Sequence, residues 1–343
     1  MKVLVTGGNG FVGSRITAEA VKAGHDVRLL VRRPEQVPLT LAPLGVEASD
    51  VGEVAGDVLD ERTVRNAVEG CDAVVHAAAV FSLNARRAQE MLLTNARAAQ
   101  LVLGSAAEAH LDPVVHISST VALTRRGGSG PDLPLGDVDW PYARSKVASE
   151  VVARQLQDDG APVVTVYPGS VYGPGDPYRG VQSELLRWIL RGLFPTYAVG
   201  FVHAVHVRTV AETVLAALEP GRGPRRYVVP GVAVDVRTLY GTIEQVTGRR
   251  LRYVVLPLGV ALPAARLTAL LQRPLPARWH YPADPEGAVI NACATTFDDR
   301  PARTELGVEP VPFAQSIRDT VRWLVESGRL RPRYAGKALD PQA

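Results

Sequence analysis

Residues 4–13 read LVTGGNGFVG, with glycines at 7, 10 and 13 directly after an apolar run that opens the chain. A short strand that ends in a tight turn and feeds a helix is the context in which such glycines hold a phosphate group. Gly7 permits the turn, Gly10 lets the backbone approach a pyrophosphate, and Gly13 lets helix and strand pack closely. Asn9, Phe11 and Val12 complete the loop. The helix that follows offers free N–H groups and a partial positive charge to an anion. A bound dinucleotide is the expectation that the rest of the sequence must support.

Outward from this loop, apolar and amphipathic segments alternate. Strands are expected at 2–5, 26–31, 73–76, 114–118 and 163–167, and helices at 11–23, 61–68, 85–109 and 142–157. Continuous Val, Ile and Leu strands between helices indicate a parallel sheet covered on both faces. Right-handed crossovers make it doubly wound, a Rossmann-type α/β fold. After Gly173 the rhythm loosens. Helices are expected at 183–193, 207–219, 237–248 and 312–328, and residues 225–231 read as a strand returning to the main sheet. The expected division is a cofactor domain over 1–171, a smaller substrate lobe over 172–202 and 235–330, and a loose tail over 331–343. Residues 127–136, GGSGPDLPLG, read as a flexible loop.

Composition narrows the function classes. The chain has 343 residues, 46% hydrophobic and 21% charged, as in ordinary soluble domains. A net charge of +3 gives no reason to expect nucleic acid or an anionic membrane as partner. Cys71 and Cys293 are the only cysteines, too few for a disulfide framework or a zinc site. No metal is expected, and a reducing cytoplasm is the expected location. Gly7 cuts the first apolar run, so no signal peptide is read there. The longest apolar stretch, 253–271, is interrupted by Pro257, Pro263 and Arg266. It reads as a buried strand and helix rather than a membrane span or contact.

The second strand ends in RLLVRRP, where folds that prefer NAD place an acidic residue for the ribose 2′-hydroxyl. Arg32 and Arg33 stand there instead, and two guanidinium groups suit a 2′-phosphate. NADP is therefore the expected cofactor, with NAD as the alternative. In GDVLD, residues 56–60, Asp57 is a candidate for the adenine amine and Val58 for the ring face.

Chemistry is suggested by two further stretches. HISST, 116–120, ends a parallel strand at the edge where such sheets bind ligands. YARSK, 142–146, opens a helix and places Tyr142 and Lys146 on one face. A free tyrosine, with a pKa near ~10, is a poor acid–base group at neutral pH, and a nearby ammonium lowers that value. Lys146 is one of only four lysines, with Lys2, Lys22 and Lys337. A strand-edge hydroxyl could hold a carbonyl oxygen. His76, His203 and His206 read as structural.

With these residues in view, the sequence over about 1–330 resembles the extended short-chain dehydrogenases/reductases, the NAD-dependent epimerase/dehydratase group. TGGNGFVG matches the family's Thr-Gly-x-x-Gly-x-x-Gly, and VVHAAA (74–79) matches the stretch beside the cofactor's second half, which implicates Ala77, Ala78 and Ala79. YPGSVYGPGD (167–176) matches the loop over the nicotinamide, implicating Pro168, Gly169 and Val171. VRRP and YPGSVYGP look most like the dihydroflavonol reductase and 3β-hydroxysteroid dehydrogenase branch. The resemblance implies Tyr142 as the acid–base and Ser119 as the carbonyl-orienting hydroxyl, with Ser118 and Thr120 as neighbours on the opposite strand face. It implies that Lys146 lowers the tyrosine pKa and holds the nicotinamide ribose, and that Asn95 supports a proton relay.

Two departures bear on the substrate. Tyr167 stands where sugar-nucleotide members commonly carry Arg, and Thr209 where members often carry Asp. The reading is an NADP-dependent oxidoreductase acting on a carbonyl, or the matching alcohol, of a small hydrophobic molecule. A sugar-nucleotide epimerase or dehydratase with tightly held NAD is the first alternative, and a non-catalytic NADP-binding regulator the second. A homodimer is left open, and neither a membrane span nor a nucleic-acid partner is expected.

Overall fold

Apolar β-branched runs too short for helices form the strands of a sheet buried on both faces, and the amphipathic segments between them supply its cover. The computed structural model describes residues 1–80, 88–125, 132–193, 196–272, 275, 281 and 285–340. The expected helical residues 85–87 and the loop residues 127–131 lie outside these. The first half runs β1 (Lys2–Thr6), α1 (Phe11–Lys22), β2 (Asp26–Val31), α2 (Val37–Leu41), β3 (Val51–Ala55), α3 (Glu61–Val68), β4 (Ala73–His76), α4 (Ala88–Glu108), β5 (Val114–Ile117), α5 (Pro141–Asp158) and β6 (Val163–Tyr167). The second half runs β7 (Ser170–Tyr172), α6 (Val181–Leu190), β8 (Thr196–Ala198), β9 (Phe201–His206), α7 (Val207–Ala216), β10 (Arg225–Val228), β11 (Val232–Asp235), α8 (Val236–Thr247), β12 (Val254–Leu256), α9 (Leu258–Gln272), α10 (Pro285–Ala292), α11 (Arg300–Leu306) and α12 (Phe313–Glu326).

The main sheet has seven strands in the order β10-β6-β5-β4-β1-β2-β3. All its pairings are parallel, including the return of β10 beside β6. The strand order reverses at β1, between β2 and β4, which opens a crevice at the carboxyl ends of the strands. Register aligns those ends, with Thr6 opposite both Leu30 and His76, and His76 opposite His116. The glycine loop, Arg32, Ala77 and Ser119 thus leave the sheet at one edge.

One apolar cluster, with Val3, Val5, Leu29, Val75 and Val115, packs under α1 and α7. A second, with Leu4, Val74, Val102 and Val114, packs under α3, α4 and α5. A third joins α6, α8 and α12 beside the small sheet β11-β9-β7 and forms the core of the lobe.

Two expectations are corrected. Over its described residues, 331–340, the tail does not hang loose: Ala335 and Ala338 are fully buried in the lobe core. Arg322 Nε donates to the Ala338 carbonyl at 2.7 Å, and Arg249 Nη1 to that of Tyr334 at 2.8 Å, which pins a stretch whose polar composition suggested solvent. The apolar stretch 253–271 is only partly buried, at Ala265 and where Tyr253 packs on the lobe core. β12 pairs only at the edge with β8, and α9 leaves Val260, Leu267, Leu270 and Leu271 exposed. Periodicity identified strand and helix but could not reveal that, among the described residues, one face of each stays exposed.

Candidate active site

The glycine loop is shaped by contacts that no side chain could share. Gly7 has φ +71°, and a Cβ there would lie 2.8 Å from the Ala78 backbone. A Cβ on Gly13 would lie 2.1 Å from the Gly7 carbonyl oxygen, so α1 starts directly against the end of β1. Gly10 caps α1 without a side-chain bond, and the first turn carries no acidic residue. Phe11 and Val12 form that first turn, and Asn9 precedes the cap. This cradle, with outward N–H groups at a helix start, fits a dinucleotide pyrophosphate.

The flanking residues suit the rest of such a cofactor. Arg32 and Arg33 leave β2 exposed, and neither is ion-paired among the described residues. Asp57 accepts from Leu59 N at 3.0 Å in a half-buried turn that also holds Val58. Ala77 N donates to the Thr6 carbonyl at 3.2 Å and Ala78 N to Thr6 Oγ1 at 3.3 Å, which holds the 77–79 strip beside the glycines. The Pro168 carbonyl accepts from Thr120 N at 2.9 Å, and Gly169 and Val171 border the central cavity.

Of the reacting groups expected from sequence, Ser119 and Tyr142 border one wall of this cavity, while Lys146 and Asn95 lie behind it, outside its lining. Ser119 caps a 3-10 turn (Thr120–Leu123), accepting from Val121 N at 3.2 Å, and its hydroxyl is hydrogen-bonded to Tyr142. The period-two alternation ends at Ser119, so Thr120 also borders the cavity. Ser118 is buried and does not line it. Lys146 lies one turn along α5 from Tyr142 and is buried. Asn95, on α4, accepts from Val80 N at 2.8 Å and donates to the Val80 carbonyl at 3.0 Å and to Ser145 Oγ at 3.2 Å. Ser145 Oγ in turn donates to the Tyr142 carbonyl at 2.8 Å, so Asn95 braces the helix that carries Tyr142.

One participant had no signal in the sequence. Glu286 of α10 is 144 residues from Tyr142, yet its carboxylate accepts from Tyr142 N at 3.3 Å and from Ala143 N at 2.9 Å. Trp140, the N-cap of α5, makes no side-chain cap, and Glu286 satisfies those backbone donors from across the cavity. No spacing rule links a capping carboxylate so far along the chain to its helix.

Burial sets the protonation states. The Tyr142 phenol is pushed up to about 12, first by burial and further by the Glu286 charge, against the pull of the Ser119 hydrogen bond. The direction is opposite to that expected from the Tyr-x-x-x-Lys pairing: burial is the largest cause, and the charge that acts on the phenol is that of Glu286, not Lys146. Burial brings Lys146 down to about 8, with the Glu150 carboxylate opposing. Glu150 also accepts from the Tyr167 hydroxyl at 2.5 Å and from Arg154 Nε at 2.9 Å, so Tyr167 is spent on a buried network.

The sign of the pH response follows. Lys146 is cationic below about 8 and neutral above it, while the phenol keeps its proton across that range. Activity is expected to fall as pH rises through about 8. In Lys146→Arg the falling limb should move to higher pH, since a guanidinium stays charged. A pH profile of kcat/KM checks this, and a wild-type profile flat to pH ~10, the ordinary lysine range, would remove Lys146 from the mechanism.

The histidine rings are engaged locally, and His203 also borders the cavity. His76 Nδ1 is 2.8 Å from Thr6 Oγ1, and its ring stacks on His116. His203 Nε2 contacts the Val229 carbonyl at 2.8 Å, and His206 Nδ1 caps α7 by accepting from Arg208 N at 3.0 Å. Among the described residues no group of three or more His, Cys, Asp or Glu is arranged to hold a metal.

The cavity bordered by Ser119 and Tyr142 has a volume of about 440 Å³. Its walls include Val121, Leu185, Val202, Leu256, Ala265 and Phe297. It carries two carboxylates, Asp176 and Glu286, and no Lys or Arg among its described lining residues. Asp176 is satisfied locally, accepting from Gly180 N at 2.6 Å and from Ser183 Oγ at 2.8 Å.

A switch-point crevice with a glycine cradle, beside a tyrosine and lysine one helical turn apart, defines a nucleotide-dependent oxidoreductase of the short-chain type. Residues 3–229 match the NAD dependent epimerase/dehydratase family, and the chain belongs to that family as an NAD(P)-dependent enzyme of the extended short-chain dehydrogenase/reductase type. It is 26% identical over 337 residues to a putative dihydroflavonol 4-reductase of Synechocystis sp., covering 95% of both chains. It is 28% identical over 344 residues to a 4-hydroxy-2-methyl-3-oxo-4-farnesyl-3,4-dihydroquinoline-1-oxide ketoreductase of Stigmatella aurantiaca, covering 96% of this chain and 98% of the other. Its fold is similar to that of a UDP-glucose-4-epimerase from Stenotrophomonas maltophila solved with bound NAD and formylated UDP-arabinopyranose, with a TM-score of 0.75, 21% identity and coverage of 96% and 99%.

Proposed function

We propose that the protein is an NADP-dependent reductase of a neutral, mainly hydrophobic ketone or aldehyde, or in reverse an oxidant of the alcohol. The observation that carries this reading is the cavity's charge. A pyrophosphate-bearing sugar would enter a space with two carboxylates and no cation among the described lining residues, and burying such an anion unpaired is costly. The apolar walls and the farnesylated quinoline substrate in the name of the Stigmatella relative point the same way.

In this reading the residues divide the work. Bound NADPH supplies the hydride that reaches the carbonyl carbon. Tyr142 gives its proton to the carbonyl oxygen, and Ser119 donates a hydrogen bond to that oxygen as charge develops on it. The raised phenol pKa keeps the proton in place until an alkoxide forms. Lys146 holds the nicotinamide ribose, and its charge stabilises the phenolate left behind. Asn95 and Glu286 fix α5, and with it the phenol, relative to both.

A panel of ketones matched in size but differing in charge tests the proposal. NADPH oxidation is expected with neutral aromatic, terpenoid or aliphatic members. A phosphorylated analogue should be at least ~10-fold poorer in kcat/KM, since an unpaired buried charge costs more than a lost hydrogen bond. Preference for the phosphorylated analogue would overturn the assigned substrate class.

A further inference from the structure

The cavity wall formed by α9 has a second side. Ala261, Ala264, Ala265 and Thr268 face the substrate space, while Val260, Leu267, Leu270 and Leu271 are exposed, Leu271 at 65% of its surface. Of fifteen exposed large apolar residues among those described, seven fall within 254–275, so the exposure is concentrated rather than scattered. Apart from Arg266, α9 is apolar on its outer face as well as toward the cavity, a pattern that belongs against a protein core or lipid. At 15 residues, α9 is roughly 22 Å long, too short to span a bilayer, and no helix among the described residues is long and apolar enough to cross one.

Charge identifies the occupant. From 245 to 283 the sequence has six arginines, at 249, 250, 252, 266, 273 and 278, and no Asp or Glu. Arg250 and Arg252 are exposed just before β12; Arg250 is ion-paired with Glu244 at 3.1 Å, and Arg266 lies over the Trp140 ring. A second copy packed two-fold on this face would bring Arg252 and Arg266 toward their own symmetry mates, and β12 and α9 themselves carry no carboxylate to offset them, which disfavours self-association. An apolar helix flanked by arginines instead matches a bilayer interface with anionic headgroups.

We propose that α9 docks on an anionic lipid surface, with its apolar outer face in the headgroup–acyl boundary and its inner face opening the cavity to substrates held in the lipid. The docking stands on the exposed apolar face and its arginines, and only the delivery of substrate rests on the proposed hydrophobic carbonyl.

Vesicle co-sedimentation without substrate tests the docking separately from the reaction. The full chain is mixed with phosphatidylcholine vesicles, with and without phosphatidylglycerol. Sedimentation with the anionic vesicles is expected, weakening as salt is raised. The triple variant L267Q/L270Q/L271Q should bind at least ~10-fold more weakly, because it removes the inserting apolar surface. Because these side chains are exposed, the variant should keep the wild-type thermal shift with NADPH, which verifies its fold. Wild-type protein that stays in the supernatant with both vesicles would overturn the proposal. So would equal binding to neutral and anionic vesicles, or light scattering that shows a wild-type dimer becoming a monomer in the variant.

Discussion

Tyr142→Phe is expected to lower turnover at least ~100-fold, the low end of what a positioned acid–base group contributes, while cofactor affinity stays nearly unchanged. The substitution removes one oxygen. That oxygen is hydrogen-bonded to Ser119 at the cavity wall, so its loss falls on the substrate oxygen rather than on the glycine cradle. The ring remains, and so do the backbone bonds from Tyr142 and Ala143 to Glu286, so α5 should keep its place. Steady-state kinetics and a separate NADPH titration distinguish the two effects. Retention of more than a few per cent of activity would assign the proton to another group.

The second large effect concerns cofactor choice. NADPH is expected to bind at least ~10-fold more tightly than NADH, since a charge-assisted contact to the 2′-phosphate contributes roughly 1.5–3 kcal/mol. Arg32 and Arg33 are exposed and not ion-paired among the described residues, so no internal bond has to break first. The double variant R32A/R33A should lose most of that preference while its NADH affinity changes little. Fluorescence titration of both cofactors measures it, and equal wild-type affinities would take the arginines out of the account.

Much of this was legible because it is local. The glycine loop, the strand–helix alternation through 167 and the Tyr142–Lys146 pair are each set by spacing within a few residues, and the structure has them at β1–α1, in the main sheet and on α5. The return of 225–228 to β6 was also readable, as an apolar run at the right place in the chain. What sequence could not supply was long-range coverage. Residues 253–271 have the composition of a core element, and only the tertiary arrangement leaves α9 uncovered. The tail looked polar, yet Ala335 and Ala338 fill a gap beside α8 and α12. Glu286 reaches α5 only because the lobe folds back over it, and the balance that raises the Tyr142 pKa depends on burial first and on that approach.

Cofactor accounting on the purified protein tests the central claim most directly. An epimerase must retain its nicotinamide through oxidation and re-reduction, whereas a reductase exchanges it in every cycle. The protein is expected to purify largely free of nucleotide, to consume one NADPH for each hydrophobic carbonyl reduced, and to leave common sugar nucleotides unchanged. Tightly bound NAD after purification, with a sugar nucleotide interconverted and no net change in NADPH, would contradict the account.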